Sequence, residues 1–412
     1  MGGKVLLLGF GMQGKAAFYD LLKCEDIKSI TVVDTNPTIE TNIKKIIKNK
    51  NKNIFVKILS MADEEEVFNL MKNSDVVIDL LPAKFTFKAV KMAAEAGVSL
   101  VSAMYFHDAG EEDSVKIKQR KDELEEIDKM AREKGITLLS EFGLDPGLDL
   151  VIGKKALEEF DEVHDFYSYG AGFPEKTAAN NPLKYKFTWS IAGVMLSYLR
   201  PAIIIKDGKN ISIPSCEMFA KENMHLLKIE ELGGTLECFP NGNAAHYAEV
   251  MGIKNTVRNM GRYICRWDGT GIYWEKMAKC GFLSKEPIDV NGVKVVPYEF
   301  CSSLLGSQKQ FFYSENERDV GLIRMDVKGL KNGKEKHVIY QAIDYRDLDT
   351  GFTAMSRTTG FTTAVGAELI LQGKINKTGI ISPLDVDYEY VAEEMKKRGI
   401  TIKVYSIKCG TL

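Results

Sequence analysis

The chain is predicted to be α/β, with strands alternating with helices in a doubly wound, mostly parallel sheet and a second, mixed α/β region inserted into it. Three observations carry this. Short, wholly apolar runs recur along the first 140 residues, most of them followed by a segment of helical period. A glycine-rich turn, GFGMQG, stands between the first run and its helix. Beyond about residue 160 the texture changes to alternating apolar and polar runs punctuated by Gly, Asn and Pro, as in a mixed or antiparallel sheet.

Residues 4–10 (KVLLLGF) predict a strand buried on both faces, and Lys15–Leu22 the helix after it. Ile27–Asp34, Ile54–Leu59, Val76–Leu80 and Ser99–Ser102 read as further strands, with helical segments near 39–48, 62–73 and 86–96. The densely charged stretch 113–134 predicts one long surface helix. Ile136–Ser140 is another buried strand, followed by the turn-rich EFGLDPGLD. FYSYGAG, KYKFTWS, AIIIKDG, GTLECFP and YICRWDG predict the strands of the second region, and 352–372 a long buried helix. There is no internal repeat and no low-complexity linker.

At 412 residues the chain should hold about two to three domains. Hydrophobic residues make up 45% and charged residues 27%, an ordinary globular balance. The longest apolar runs fall far below the ~18 residues that span a bilayer, so no membrane role is expected. With 55 basic and 57 acidic residues the net charge is −2, which leaves no electrostatic footprint for nucleic acid. The seven cysteines (24, 216, 238, 265, 280, 301 and 409) are scattered, without a C-x-x-C, and no His-rich ligand spacing occurs. Reduced thiols, a cytoplasmic location and chemistry without a metal are the expectation.

Gly9-Phe10-Gly11-Met12-Gln13-Gly14 is a G-x-G-x-x-G placed after a strand and opening a helix, the context in which that pattern binds a dinucleotide. Gly9 suits the tight turn, Gly11 the approach of a pyrophosphate, and Gly14 the packing of helix on strand. The helix N-terminus offers free N–H groups and a partial positive charge. Asp34 and Thr35 end the second strand, 20 and 21 residues beyond Gly14, where an acid receives ribose hydroxyls and repels a 2′-phosphate. NAD is therefore expected in preference to NADP. Ligands of such Rossmann sheets lie beyond the carboxyl ends of the strands, so Leu80, Leu81, Pro82 and Ser102 should line the nicotinamide side.

EFGLDPGLD at 141–149, with YGAGFP at 169–174, NPLKYKFTWSIAG at 181–193 and FPNGN at 239–243, resembles the glutamate-forming saccharopine dehydrogenases, or saccharopine reductases. Those enzymes carry a GLDPG segment, a G-G-x-P turn and N-P-L-x-Y-K-F-(S/T)-W-S in this order. GFGMQGKAA and TAMSRTTGFTTAVGAELILQGKI look closer to the related lysine 6-dehydrogenases. The resemblance implies a nucleotide domain over 1–125, an inserted substrate-binding and dimerisation domain of the saccharopine dehydrogenase C-terminal type over 126–350, and a return segment over 351–412. It implies a homodimer and oxidation at a carbon bearing an amine, with hydride passing to nicotinamide. It adds Leu144, Asp145 and Pro146 to the cofactor contacts, and places Asp145, Asn241 and Asn243 on the substrate.

Departures from the family bear on the substrate. An arginine two residues beyond W-S grips a substrate carboxylate in the saccharopine enzymes, and here Ala192 stands there. Their P-N-R-D-S becomes PNGNA at 240–244, and their cysteine before the G-G-x-P turn is Gly170. One charge-assisted carboxylate contact is worth roughly 1.5–3 kcal/mol, so losing two argues against a tricarboxylate held in the usual way. Arg200, Arg258, Arg262 or Arg266 offer compensation.

Hydride leaves an amine carbon only when the nitrogen is unprotonated, so a base or water chain must take the ammonium proton. Asp145 is the first candidate to orient the amine; it reads equally as a helix cap before Pro146. Tyr105, His107 and Asp108 follow the strand ending at Ser102, with His107 a candidate base and His246 another; both read also as surface histidines. His164, His225 and His337 read as structural. Arg357, on the buried helix, either pairs with a carboxylate or reaches ligand. Lysine 6-dehydrogenase activity needs one carboxylate grip and suits the missing arginines; a polyamine-forming reductase is a further relative. From another class, a nucleotide-binding sensor with a decayed catalytic site fits the fingerprint alone.

Overall fold

The computed structural model describes residues 2–47, 52–107, 113–214 and 217–407, so Asp108, Cys216, Cys409 and the predicted end of the second helix at 48 lie outside it. The first stretch runs β1 (Gly3–Leu8), α1 (Met12–Leu21), β2 (Ile27–Asp34), α2 (Ile39–Ile46), β3 (Asn53–Ile58), α3 (Glu64–Lys72), β4 (Val76–Asp79), α4 (Thr86–Ala96), β5 (Ser99–Ser102), α5 (Ser114–Glu133), β6 (Thr137–Leu139) and α6 (Leu148–Leu157). Next come β7 (Glu162–Pro174), α7 (Ile191–Ser197), β8 (Ala202–Lys206), β9 (Lys209–Ile213), β10 (His225–Ile229), β11 (Gly234–Pro240), α8 (Ala244–Val250) and β12 (Asn259–Trp267). α9 (Gly271–Lys279), β13 (Ile288–Val290), β14 (Val293–Val295), α10 (Pro297–Gly306), β15 (Asp319–Lys331) and β16 (Lys334–Tyr345) follow. The chain closes with α11 (Ala354–Leu371), β17 (Gly379–Ile381), α12 (Tyr388–Lys397) and β18 (Ile402–Ile407).

Two compact units result, one of residues 1–151 and 356–401, the other of 152–355 and 402–412. The changeovers thus fall inside α6 and at the start of α11, where 125 and 350 were expected, and β18 belongs to the second unit.

The first unit is a seven-stranded parallel sheet ordered β17-β6-β5-β4-β1-β2-β3. Val5–Leu8 and Val76–Asp79 are buried along their length, as strands covered on both faces must be. α4 stops at Gly97, whose φ of +73° a side chain would resist. α5 starts on Asp113, which accepts the amides of Val115 and Lys116, and its long exposed face matches its charge pattern. Elsewhere in this unit, Arg398 holds three acids on one guanidinium: Asp20 at 2.8 Å, Glu368 at 2.7 Å and Glu394 at 2.7 Å. Despite that partner, burial pushes Asp20 up to about 6.

The second unit is built on a nine-stranded mixed sheet, β10-β11-β12-β7-β15-β16-β18, with β8 beside β12 and β9 beside β8. β7 pairs parallel with β12 and antiparallel with β15. One predicted strand is absent. KYKFTWS is a loop, because buried Asn181 accepts the amides of Leu183 and Tyr185 and donates to the carbonyls of Tyr185 and Gln310, leaving those groups none to offer a ladder. Lys184 there adopts a φ of +47°. A core of Tyr185, Tyr198, Phe173, Phe239 and Trp274 covers one part of the sheet.

Candidate active site

The carboxyl edge of the parallel sheet assembles the predicted cofactor residues. Gly9 has φ +91°, and a Cβ there would lie 2.6 Å from the Leu80 carbonyl oxygen. A Cβ on Gly14 would lie 2.1 Å from the Gly9 oxygen. Both glycines are thus fixed by packing within the turn. Gly11, the N-cap of α1, faces open space, and with exposed Met12 and half-buried Gln13 it leaves the first-turn amides accessible to an anion. Phe10 is buried against Phe18, with ring centroids 5.5 Å apart.

Asp34 is turned inward. Its Oδ2 accepts the Phe10 amide at 2.6 Å and its Oδ1 the Asn36 amide at 2.8 Å. Asn36 then accepts the amide and the hydroxyl of Thr38, each at 2.9 Å, so Thr35–Thr38 is a polar turn closed on itself.

Ser102 sits at the centre of the other half of the edge. Its hydroxyl donates to Asp79 at 2.9 Å and accepts the Met104 amide at 3.1 Å; its carbonyl accepts the Phe142 amide at 2.8 Å. The Leu81 amide donates to the same carboxylate, so the Leu80–Pro82 turn and Ser102 are tied together through Asp79. Burial pushes Asp79 up to about 6. Asp79 lies within the strand expected over Val76–Leu80, and an acid closing the apolar run VVI is the signal that marks it.

The Leu144-Asp145-Pro146 turn lies against that edge. Gly143 stands where a Cβ would be 3.3 Å from Ala103, and the Glu141 amide donates to the Met104 carbonyl while Glu141 itself takes φ +59°. The turn closes by Gly143 N–H to the Pro146 carbonyl. At the start of α6 the amides of Gly147, Leu148 and Asp149 go to the Asp149 carboxylate and the carbonyls of Gly143 and Leu144. Asp145 is half-buried beside Leu144, which is buried. Tyr105 and exposed His107 share the turn after β5, with ring centroids 5.4 Å apart.

Asn241, Asn243 and His246 cluster in the second unit. Asn243 caps α8 through the His246 amide at 3.0 Å, and the Asn241 amide donates to the Arg262 carbonyl. Arg357 donates to the Arg398 carbonyl at 3.1 Å and lies over the Phe361 ring. Arg266 is buried on the Tyr198 hydroxyl and between tyrosine rings. His225, which burial makes harder to protonate, bonds Tyr169 through Nδ1 at 3.0 Å and stacks on Tyr263. Among the described residues one group, Cys24, Asp26 and Glu368, gathers three metal-type ligand atoms within 4.8 Å; it lies past the far end of α1 from the glycine turn. No described helix is long and apolar enough to cross a membrane.

A glycine cradle at a helix N-terminus, polar strand ends beside it and a separate mixed-sheet unit define a Rossmann-fold protein of the dinucleotide-binding class. The chain belongs to the saccharopine dehydrogenase family: residues 5–139 match its NADP binding domain and residues 143–400 its C-terminal domain. Among relatives, the α-aminoadipic semialdehyde synthase of Arabidopsis thaliana is 27% identical over 410 residues, covering 80% of this chain and 36% of that protein. The NADP(+), L-glutamate-forming saccharopine dehydrogenase of Saccharomyces cerevisiae is 23% identical over 470 residues, covering 98% and 99%. The solved apo structure of the L-Glu forming enzyme from S. cerevisiae shares the fold, with a TM-score of 0.81 at 22% identity over 98% of this chain and 100% of that one. The chain spans about half or less of the length of the first curated relatives it matches.

The expected preference for NAD over NADP is overturned. The family domain matched by residues 5–139 is NADP binding, and relatives from S. cerevisiae and Pyricularia oryzae are NADP(+) enzymes by name. The inference required Asp34 to meet the ribose, but both its oxygens already carry a backbone amide.

Proposed function

We propose that this chain is an NADP(H)-dependent oxidoreductase acting on the C–N bond of a lysine-derived amine. The match of both family domains along nearly the whole chain carries the reading, and the open face at Gly11 supports it as the pyrophosphate seat. When bound, the nicotinamide supplies the hydride acceptor. Gly11 and the first-turn amides of α1 hold the phosphates. Asp145 orients the substrate nitrogen and its proton, and the imine left behind is hydrolysed by water. Tyr105 and His107 are the adjoining groups able to relay the proton. Asn241 and Asn243 are the candidate substrate contacts of the second unit, Asn243 with what its capping bond leaves over.

Ala192 and Gly242, where saccharopine enzymes carry arginines, favour a substrate with fewer carboxylates than saccharopine, and so support oxidative deamination of the lysine side chain as the second reading. The test is an assay with NADP+ and NAD+ against saccharopine, lysine and diamines, read as absorbance of the reduced cofactor. Turnover on one of these amines with NADP+ is expected; no turnover on any refutes the reading. A homodimer and a cytoplasmic location belong to the same proposal. Light scattering that returns a single chain of 46.1 kDa at micromolar concentration refutes the dimer.

A further inference from the structure

Among the described residues, the parallel sheet buries one acid at its carboxyl edge to which no basic side chain is bonded. Asp79 ends β4, is fully buried, and stands in register with Ser102 on one side and Leu8 on the other, the residue before Gly9. The groups facing its carboxylate are the Ser102 hydroxyl, the Leu81 amide and the Thr86 hydroxyl, all neutral. Once ionised it is therefore a buried negative charge with no counter-ion among the described residues.

Its place fixes what it acts on. The glycine turn serves the pyrophosphate and the end of β2 the adenosine half, so the ends of β4 and β5 are left to the nicotinamide. The oxidised ring carries a positive charge and the reduced ring none, and the two forms are otherwise the same ligand. We propose that Asp79 sets the relative affinity of the site for the two redox forms, its carboxylate favouring the oxidised cofactor. This rests on the nicotinamide reading above. Burial keeps the charge from being screened by salt. At separations within one sheet edge and an effective dielectric near 20, the preference amounts to about tenfold. Asp79 acts across the Ser102 and Leu81 turns as a fixed charge, and by holding the oxidised form more tightly it tilts the bound couple toward NADP+, that is, toward reduction of the imine.

The full chain and its Asp79→Asn variant are titrated with NADP+ and with NADPH at pH 8 by calorimetry. The variant is expected to bind NADP+ about tenfold more weakly and NADPH within threefold of the wild type. A structural defect in the two turns weakens both forms alike, so an equal loss overturns the proposal, as does no change in either. If Asp79→Asn does not fold, the same pair of titrations is run from pH 5 to 8 in a His107→Gln background, which removes the exposed imidazole on the neighbouring turn. The 2′-phosphate is common to both forms and cancels in the ratio. The ratio of the NADP+ to the NADPH dissociation constant should fall severalfold as Asp79 ionises near pH 6; a flat ratio overturns the proposal. If the wild type binds neither nucleotide, the cofactor reading falls and this proposal with it.

Discussion

Substituting Gly11 and Gly14 separately tells a ligand seat from a packing contact. Gly11 has nothing within 4 Å of a built Cβ and an ordinary negative φ of −70°, so alanine fits the folded chain. Losing glycine at an N-cap costs about 0.5–1 kcal/mol. The stiffer unfolded chain returns about 0.4–1 kcal/mol, and the net change in stability is expected within ~1 kcal/mol. The methyl group then occupies the space a pyrophosphate needs, and NADP+ affinity should fall at least tenfold, about 1.4 kcal/mol. Gly14→Ala behaves differently. Its Cβ would stand 2.1 Å from the Gly9 oxygen, so helix and turn must separate by more than an ångström. Overpacking of that kind costs about 1–3 kcal/mol, and affinity falls with stability. Urea unfolding and calorimetric NADP+ titration of both variants supply the comparison. A Gly11→Ala protein that binds NADP+ like the wild type would show that the open face is not the pyrophosphate seat.

Two further outcomes are expected. Asp319, buried on the Ala354 and Met355 amides at the start of α11, has its pKa raised from 3.8 to about 6. A raised acid contributes stability below the unfolded pKa and loses it as pH climbs through the folded one, so the unfolding free energy of the wild type minus that of Asp319→Asn should fall by about 2 kcal/mol from pH 4 to 7. A difference that stays flat over that range rules this out. Asp145→Asn should lower turnover at least tenfold while NADP+ affinity changes less than threefold, since the part proposed for Asp145 is to orient the amine during hydride transfer. Full turnover by that variant would remove Asp145 from the chemistry.

Much of the first unit was legible because its signals are local. Ile27–Asp34, Ser99–Ser102 and the helix 86–96 fall where apolar runs and helical period put them. Strands buried on both faces carry unbroken apolar runs, and the glycine turn announces itself. The second unit was read less well where side-chain bonding overrode pattern. KYKFTWS alternates like a strand, yet Asn181 draws off its backbone groups, and only the N-P before it hinted at a turn. Pairings across distant segments were invisible. Cys238 and Cys265 face each other across β11 and β12 with sulfurs 3.1 Å apart, which no scan for C-x-x-C can find.

The cofactor correction shows why a site residue can be located rightly and still misread. Asp34 lies at the end of β2, where the fingerprint puts it. What the spacing leaves open is the occupancy of its lone pairs. A carboxylate that receives the Phe10 and Asn36 amides joins the glycine turn to the end of β2, which is a structural task, and much of its pull on ribose hydroxyls is thereby satisfied. Asp79, inside the strand expected over Val76–Leu80, is the opposite case. It has the burial and the missing counter-ion that make a charge felt at a distance. In both places the acid's bonding partners, which come from segments far apart in sequence, decide its part in the site.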